Sequence, residues 1–201
     1  MRFQKSLVLA LVLTAALSGS AFAAGFSVGV TAGMHGFTGD AGEGLKSGLI
    51  FAANGDYSIN EMWSAGANLS YSTTKHEEDG KDAAVLYPGS GLTGTISSDL
   101  KITQFGVHAK FFPPLTGSPI APYLVAGAGY YMSKYEFSAG SYSESGDASD
   151  PGFRGGVGAN YAVNPVFAIN AEVDYHSIMT EDESTAMYTA RAGVVFKLAS
   201  K

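Results

Sequence analysis

Residues 166–176, VFAINAEVDYH, alternate between two kinds of side chain. Phe167, Ile169, Ala171, Val173 and Tyr175 form one set, and Asn170, Glu172, Asp174 and His176 belong to the other. Successive side chains of a strand point to opposite faces. The segment therefore predicts a strand with one apolar face and one face bearing ionisable groups. The same period of two appears in seven other segments, giving predicted strands over about 25–35, 48–59, 62–73, 100–112, 120–135, 152–163, 166–178 and 185–198. Past the N-terminal segment no helical period is present.

The connections between these strands alternate in length. Tight links fall at Asn60–Glu61, at PPLTGSP and at Asn164–Pro165. The links GFTGDAGEGLKS, KHEEDGKDAAVLYPGSGLTGTISSD, SAGSYSESGDASD and MTEDES are longer and polar. Short turns at one end and long loops at the other are the pattern of an up-and-down membrane barrel. The aromatic residues favour that reading over a soluble sandwich. Trp63 and Tyr71 share a face eight residues apart, as do Phe153 and Tyr161, Phe167 and Tyr175, and Tyr188 and Phe196. Eight residues at ~3.3 Å each, tilted near 40°, rise about 20 Å, close to the spacing of the two aromatic girdles of a membrane barrel. Small or aliphatic residues lie between the rings. The opposite faces carry Ser, Gly, Asn, Thr and charges, small enough to fill a narrow lumen. The fold expected is all-β, an eight-stranded antiparallel up-and-down transmembrane β-barrel with its apolar face in lipid.

Composition adds the route by which such a chain reaches a membrane. Arg2 and Lys5 precede an apolar run over 7–17, and small residues follow to Ala23. That layout predicts a secretory signal peptide over 1–23 and a single barrel domain over 24–201. The run is too short for a spanning helix, which needs about 20 residues. The chain has no cysteine, which excludes disulfides, thiolate metal sites and a lipidated N-terminal cysteine. Without Arg2 and Lys5 the chain keeps 10 basic and 18 acidic residues, net −8. That balance argues against a nucleic-acid partner.

Two stretches carry a family resemblance. APYLVAGAGYY (121–131) resembles the fifth-strand pattern, and NPVFAINAEVDYH (164–176), with an inward Glu172, resembles the penultimate strand, of the small outer-membrane β-barrel family of OmpX, the OmpA membrane domain and OmpW-like proteins. The resemblance covers the whole mature chain and implies a Gram-negative outer membrane, with the long loops at the cell surface. It also implies the barrel-assembly machinery as a partner. That machinery reads a terminal aromatic residue, and here Phe196 is followed by KLASK, so the signal stands in shifted form.

By alternation, Asp56, His108, Lys110, Arg154, Glu172, Asp174, His176, Arg191 and Lys197 collect on the lumen face. Hairpin counting sets Glu172 opposite Arg191, and Arg154 within about one pleat of Asp174. Two readings stand: the charges neutralise one another and plug the barrel, or they line a path. Asp174–Ser177, DYHS, invites comparison with barrels that deacylate lipid A. Alternation points His176 inward and Ser177 outward, so the pair cannot meet on one face. GFRGGVGAN has no helix after it to bind phosphate and reads as strand packing. His35, His108 and His176 fall at different heights, which argues against a metal site.

The long connections hold three basic and twelve acidic residues, net −9. They suit solvated loops, or contact with lipopolysaccharide through divalent cations. The expected role is structural or surface-interactive, that is, membrane integrity or adhesion, in a monomer without cofactor or catalytic residues. A narrow conduit for small apolar molecules, as in OmpW-like barrels, is the alternative, and a lipid A-modifying enzyme is the third.

Overall fold

The computed structural model describes residues 25–38, 47–78, 96–115, 117–139, 142–180 and 184–198. The expected signal peptide, 1–23, and parts of the long connections lie outside the described residues. Eight strands follow one another: β1 (Phe26–Thr38), β2 (Gly48–Ser58), β3 (Trp63–Glu78), β4 (Ile96–Phe111), β5 (Ile120–Ala139), β6 (Tyr142–Ala162), β7 (Phe167–Met179) and β8 (Ser184–Lys197). Each pairs antiparallel with its neighbours in sequence, and β1 also pairs with β8, closing the barrel.

Two of the tight turns share one device. The Asn60 side-chain oxygen accepts the backbone N–H groups of Met62 and Trp63, both at 2.9 Å. The Asn164 oxygen does the same for Val166 and Phe167, at 2.9 and 2.8 Å. An Asn that bonds the backbone two residues on pre-forms the turn, so N-E-M-W and N-P-V-F reverse the chain alike.

β1 and β3 to β6 are longer than the alternation suggested, each at its long-loop end. β6 begins at Tyr142, ten residues before the expected 152, and β3 continues to Glu78. Most of SAGSYSESGDASD, expected as a loop, is therefore paired strand. The reason is physical. From Ser143 to Asp150 on β6 no side chain of either face is buried, so the chain loses its period of two while the backbone ladder continues.

The packed interior is the lumen. Inward positions are buried, including Thr31, Ser70, Gln104, Tyr123 and Asn170, while Val30, Leu69, Val107, Leu124, Val157 and Val173 on the outer wall are 45–64% exposed. The polar side faces inward and the apolar side outward, the reverse of a soluble protein. Outside, the rings lie in two rows. Trp63, Tyr161, Phe167 and Phe196 sit toward the tight turns, where Phe167 and Phe196 are 5.4 Å apart. Tyr71, Phe153, Tyr175 and Tyr188 sit toward the long connections, where Tyr175 pairs across strands with Tyr188.

Candidate functional site

The charged residues of β6, β7 and β8 meet across the lumen. In register, Glu172 is opposite Arg191, and Asp174 is opposite Gly156, one pleat from Arg154. Arg191 donates from Nη2 to both Glu172 Oε1 and Asp174 Oδ2. Arg154 Nη1 lies 3.3 Å from Glu172 Oε1 and 3.5 Å from Asp174 Oδ2. Two guanidiniums thus share two carboxylates, and all four side chains are at most 8% exposed. Tyr123 O–H donates to the other Glu172 oxygen at 2.6 Å and accepts from Asn170 at 2.8 Å. Thr189 donates to Asp174 Oδ2 at 3.4 Å.

A second cluster hangs from β2 and β4. Asp56 accepts from Lys110 Nζ at 3.0 Å and from Asn54 at 2.7 Å, and it lies 2.6 Å from His108 Nε2. Lys110 Nζ also sits 5.1 Å from the centre of the Tyr123 ring, which joins the two clusters. Three cations, Lys110, Arg154 and Arg191, thereby face three carboxylates, Asp56, Glu172 and Asp174. A neutral layer of this kind offsets the cost of charges held out of water.

Above this layer, toward the long connections, the lumen turns apolar. Ile102, Tyr131, Ile178 and Met187 pack together, with Phe37 and Leu100 against them. Tyr131 O–H shares a 2.8 Å hydrogen bond with His176 Nδ1, and His35 Nε2 one of 3.1 Å with Thr74. Large lumen side chains are seated over glycines of neighbouring strands. A Cβ on Gly158 would fall 2.4 Å from the Tyr123 ring, and one on Gly152 2.7 Å from the Tyr131 ring. This is the packing role of the glycines in GFRGGVGAN.

The structure gathers Asp56, His108, Lys110, Arg154, Glu172, Asp174, His176 and Arg191 inside the lumen, His176 in the upper part beside Tyr131. It does not bring Lys197 there. β8 ends at Lys197, at the tight-turn rim, where the inward side is open and the side chain is exposed. Sequence reasoning missed Tyr123, Asn170 and Thr189. All three sit at inward positions of the alternation, but they carry no charge to mark them. The apolar cap was missed because its members come from five strands and share no local pattern. Among the described residues no group of three His, Cys, Asp or Glu could hold a metal ion. His176 is 2% exposed within the lumen and Ser177 belongs to the outward set.

The sequence profile described as "Outer membrane protein beta-barrel domain" matches residues 6–197. The structure is similar to Neisserial surface protein A, from Neisseria, at 21% identity, covering 87% of this chain and 98% of that one with a TM-score of 0.59. It is also similar to a major outer membrane protein from Thermus thermophilus, at 11% identity, 85% and 98% coverage and a TM-score of 0.58. At these identities the likeness is one of fold. No curated protein matches the chain.

Proposed function

The chain belongs to the outer membrane protein beta-barrel domain family, and on that premise we propose that it is a closed barrel acting through its outer end rather than through its lumen. The observation that carries this reading is the neutral layer of Arg154, Arg191, Lys110, Glu172, Asp174 and Asp56, with the apolar cap stacked on it. An eight-stranded barrel has room inside for side chains and little more. A conduit would need an opening through both layers. A hydrolase would need a nucleophile beside His176, and Ser177 lies on the other side of the wall.

In this reading the two rows of rings are the membrane-interface girdles, about 20 Å apart. The long connections face outside the cell and carry the surface role, in membrane integrity or adhesion. Their acidic residues suit lipopolysaccharide phosphates bridged by divalent cations. The barrel-assembly machinery inserts the chain, and it works as a monomer without cofactor. The test is ion conductance of the refolded barrel in planar bilayers, together with protease digestion of intact cells. Silent bilayers and cleavage only in the long connections are expected. Stable open channels, or cleavage only at residues 113–119, would overturn the reading.

A further inference from the structure

One seam of the barrel stops short of its tight turn. β4 and β5 pair down to Phe111–Leu124, whereas β5 and β6 continue to Ile120–Tyr161 and β6 and β7 to Ala162–Ala168. Residues 120–123 of β5 therefore pair with β6 alone among the described residues. Continuing the register of β4 and β5 would set Pro113 opposite Pro122. Neither has an N–H, so neither can donate across the seam. The nearest other donors are taken. Ile120 N–H donates to Ser118 Oγ at 3.1 Å, and Phe112 N–H to the Met62 carbonyl at 2.8 Å.

The gap opens onto a recess of about 490 Å³ in the outer wall. Its floor is a row of small residues, Pro122, Ala159 and Ala171, in register across β5, β6 and β7. Rows of larger residues stand on both sides of that floor. Leu124, Val157 and Val173 are 53–55% exposed and Ile120, Tyr161 and Ile169 are 48–49% exposed, whereas Pro122 and Ala159 are half-buried. The intervening row, Tyr123, Gly158 and Glu172, backs the recess, with Tyr123 and Glu172 buried on the lumen side. Trp63 pairs with Phe111 and Tyr161 with Ile120, so the gap stands at the height of the row of rings nearer the tight turns. From there the recess reaches into the apolar band between the two rows.

We propose that this recess seats one acyl chain of a membrane glycerophospholipid, held apart from the lipids that exchange along the rest of the wall. The wall belongs to an outer-membrane barrel, and lipid is the medium it faces. Backbone left open in hydrocarbon is costly when its donors are unpaired. Here two prolines and two internal bonds leave no free donor at the gap among the described residues. An occupant is therefore held by shape and dispersion, as partners are where water supplies no driving force. A flexible methylene chain can follow a floor of Pro and Ala between two ridges. A second barrel is convex, and it would meet the ridge of Leu124, Val157 and Val173 before the floor. The choice of a phospholipid over a lipopolysaccharide rests on the reading that the tight-turn end faces the periplasm.

The test uses the full mature barrel in two preparations. Extracted from cell membranes in mild detergent, it is weighed intact by native mass spectrometry. Refolded in nanodiscs containing phosphatidylethanolamine with a diazirine on one acyl chain, it is irradiated and the cross-links are mapped. One phospholipid per barrel is expected to survive extraction, and the cross-links should concentrate on residues 120–124, 157–159 and 171–173. Ala171→Phe or Ala159→Phe fills the floor without adding polarity, and each should abolish the retained lipid and these cross-links. Ala128→Phe makes the same change on the outer wall outside the recess and should leave both intact. Cross-links spread evenly round the barrel, or undiminished retention by the floor variants, overturn the proposal. So does retention of lipopolysaccharide alone, or of a second barrel that the floor variants release. Protease digestion of intact cells separates this proposal from the orientation. No retained phospholipid, with cleavage only in the long connections, ends the recess proposal and keeps the orientation. A retained phospholipid with cleavage only at residues 113–119 supports the recess and ends the orientation.

Discussion

Two of the ion clusters among the described residues have similar make-up and opposite settings. Inside, Arg154, Arg191, Glu172 and Asp174 lie within the wall of β6 to β8, with side chains 0–8% exposed. Outside, Lys75, Asp99, Lys101 and Glu136 form a row across β3 to β5, with separations of 3.2–3.9 Å and side chains 26–69% exposed. Each cluster has two cations and two carboxylates. The outer one gains little from pairing because water already solvates each member. The inner one must pair, because an orphan charge there has neither water nor a partner. The inner cluster also uses arginine where the outer one uses lysine. A guanidinium offers several donors in a fixed plane and can bridge two carboxylates, which an ammonium does less well. Exposure, more than charge, decides what each cluster does.

The largest effect should come from unpairing the inner cluster. Arg191→Met leaves Glu172 and Asp174 sharing Arg154 alone. Urea unfolding of the barrel in lipid vesicles should show a loss of about 3–5 kcal/mol. A loss as small as that of an exposed pair would remove the contrast between the clusters. Next comes a charge placed on the outer wall between the two rows of rings. Ala171→Arg points away from the lumen and should cost about 2–4 kcal/mol in a bilayer; full stability would mean that this face does not meet lipid. A smaller effect is expected where a side chain crowds the inner cluster without altering its charge. Gly158→Val presses on Tyr123, which holds Glu172. Overpacking of this kind costs about 1–3 kcal/mol, and Tyr123→Leu in the same background should recover part of it. Smallest is Lys75→Gln, which breaks an exposed pair of 3.9 Å. A change below about 1 kcal/mol, vanishing in high salt, is expected in the same unfolding assay.

The parts legible in sequence were those written as a period of two between the rings. The eight strands, their closure and the facing of Glu172 and Arg191 all follow from alternation and turn counting. The registers agree: Glu172 sits opposite Arg191. What alternation could not give was the upper reach of β3 to β6. There Ser145, Asp147 and Ser149 on one face and Gly146, Ala148 and Asp150 on the other are equally compatible with loop. Lys197 was misplaced for the converse reason, since alternation says which way a residue points but not where the lumen ends. Tyr123 and Thr189 escaped because a neutral hydroxyl among inward positions looks like any other. Their roles depend on Gly158 and Asp174 from other strands, a relation that only register fixes.

The claim that the lumen is closed by mutual neutralisation is tested most directly by a double-mutant cycle at Glu172 and Arg191. Glu172→Gln leaves two arginines around Asp174, and Arg191→Met leaves two carboxylates around Arg154. Making both changes restores a one-to-one pair of Arg154 with Asp174. Unfolding of the wild type, both single variants and the double variant in the same vesicles should give a coupling of about 1–3 kcal/mol, with the double variant costing less than the sum of the singles. Additivity to within about 0.5 kcal/mol would show that the two side chains do not act on one another, and the plug would then have to be held by something other than its charges.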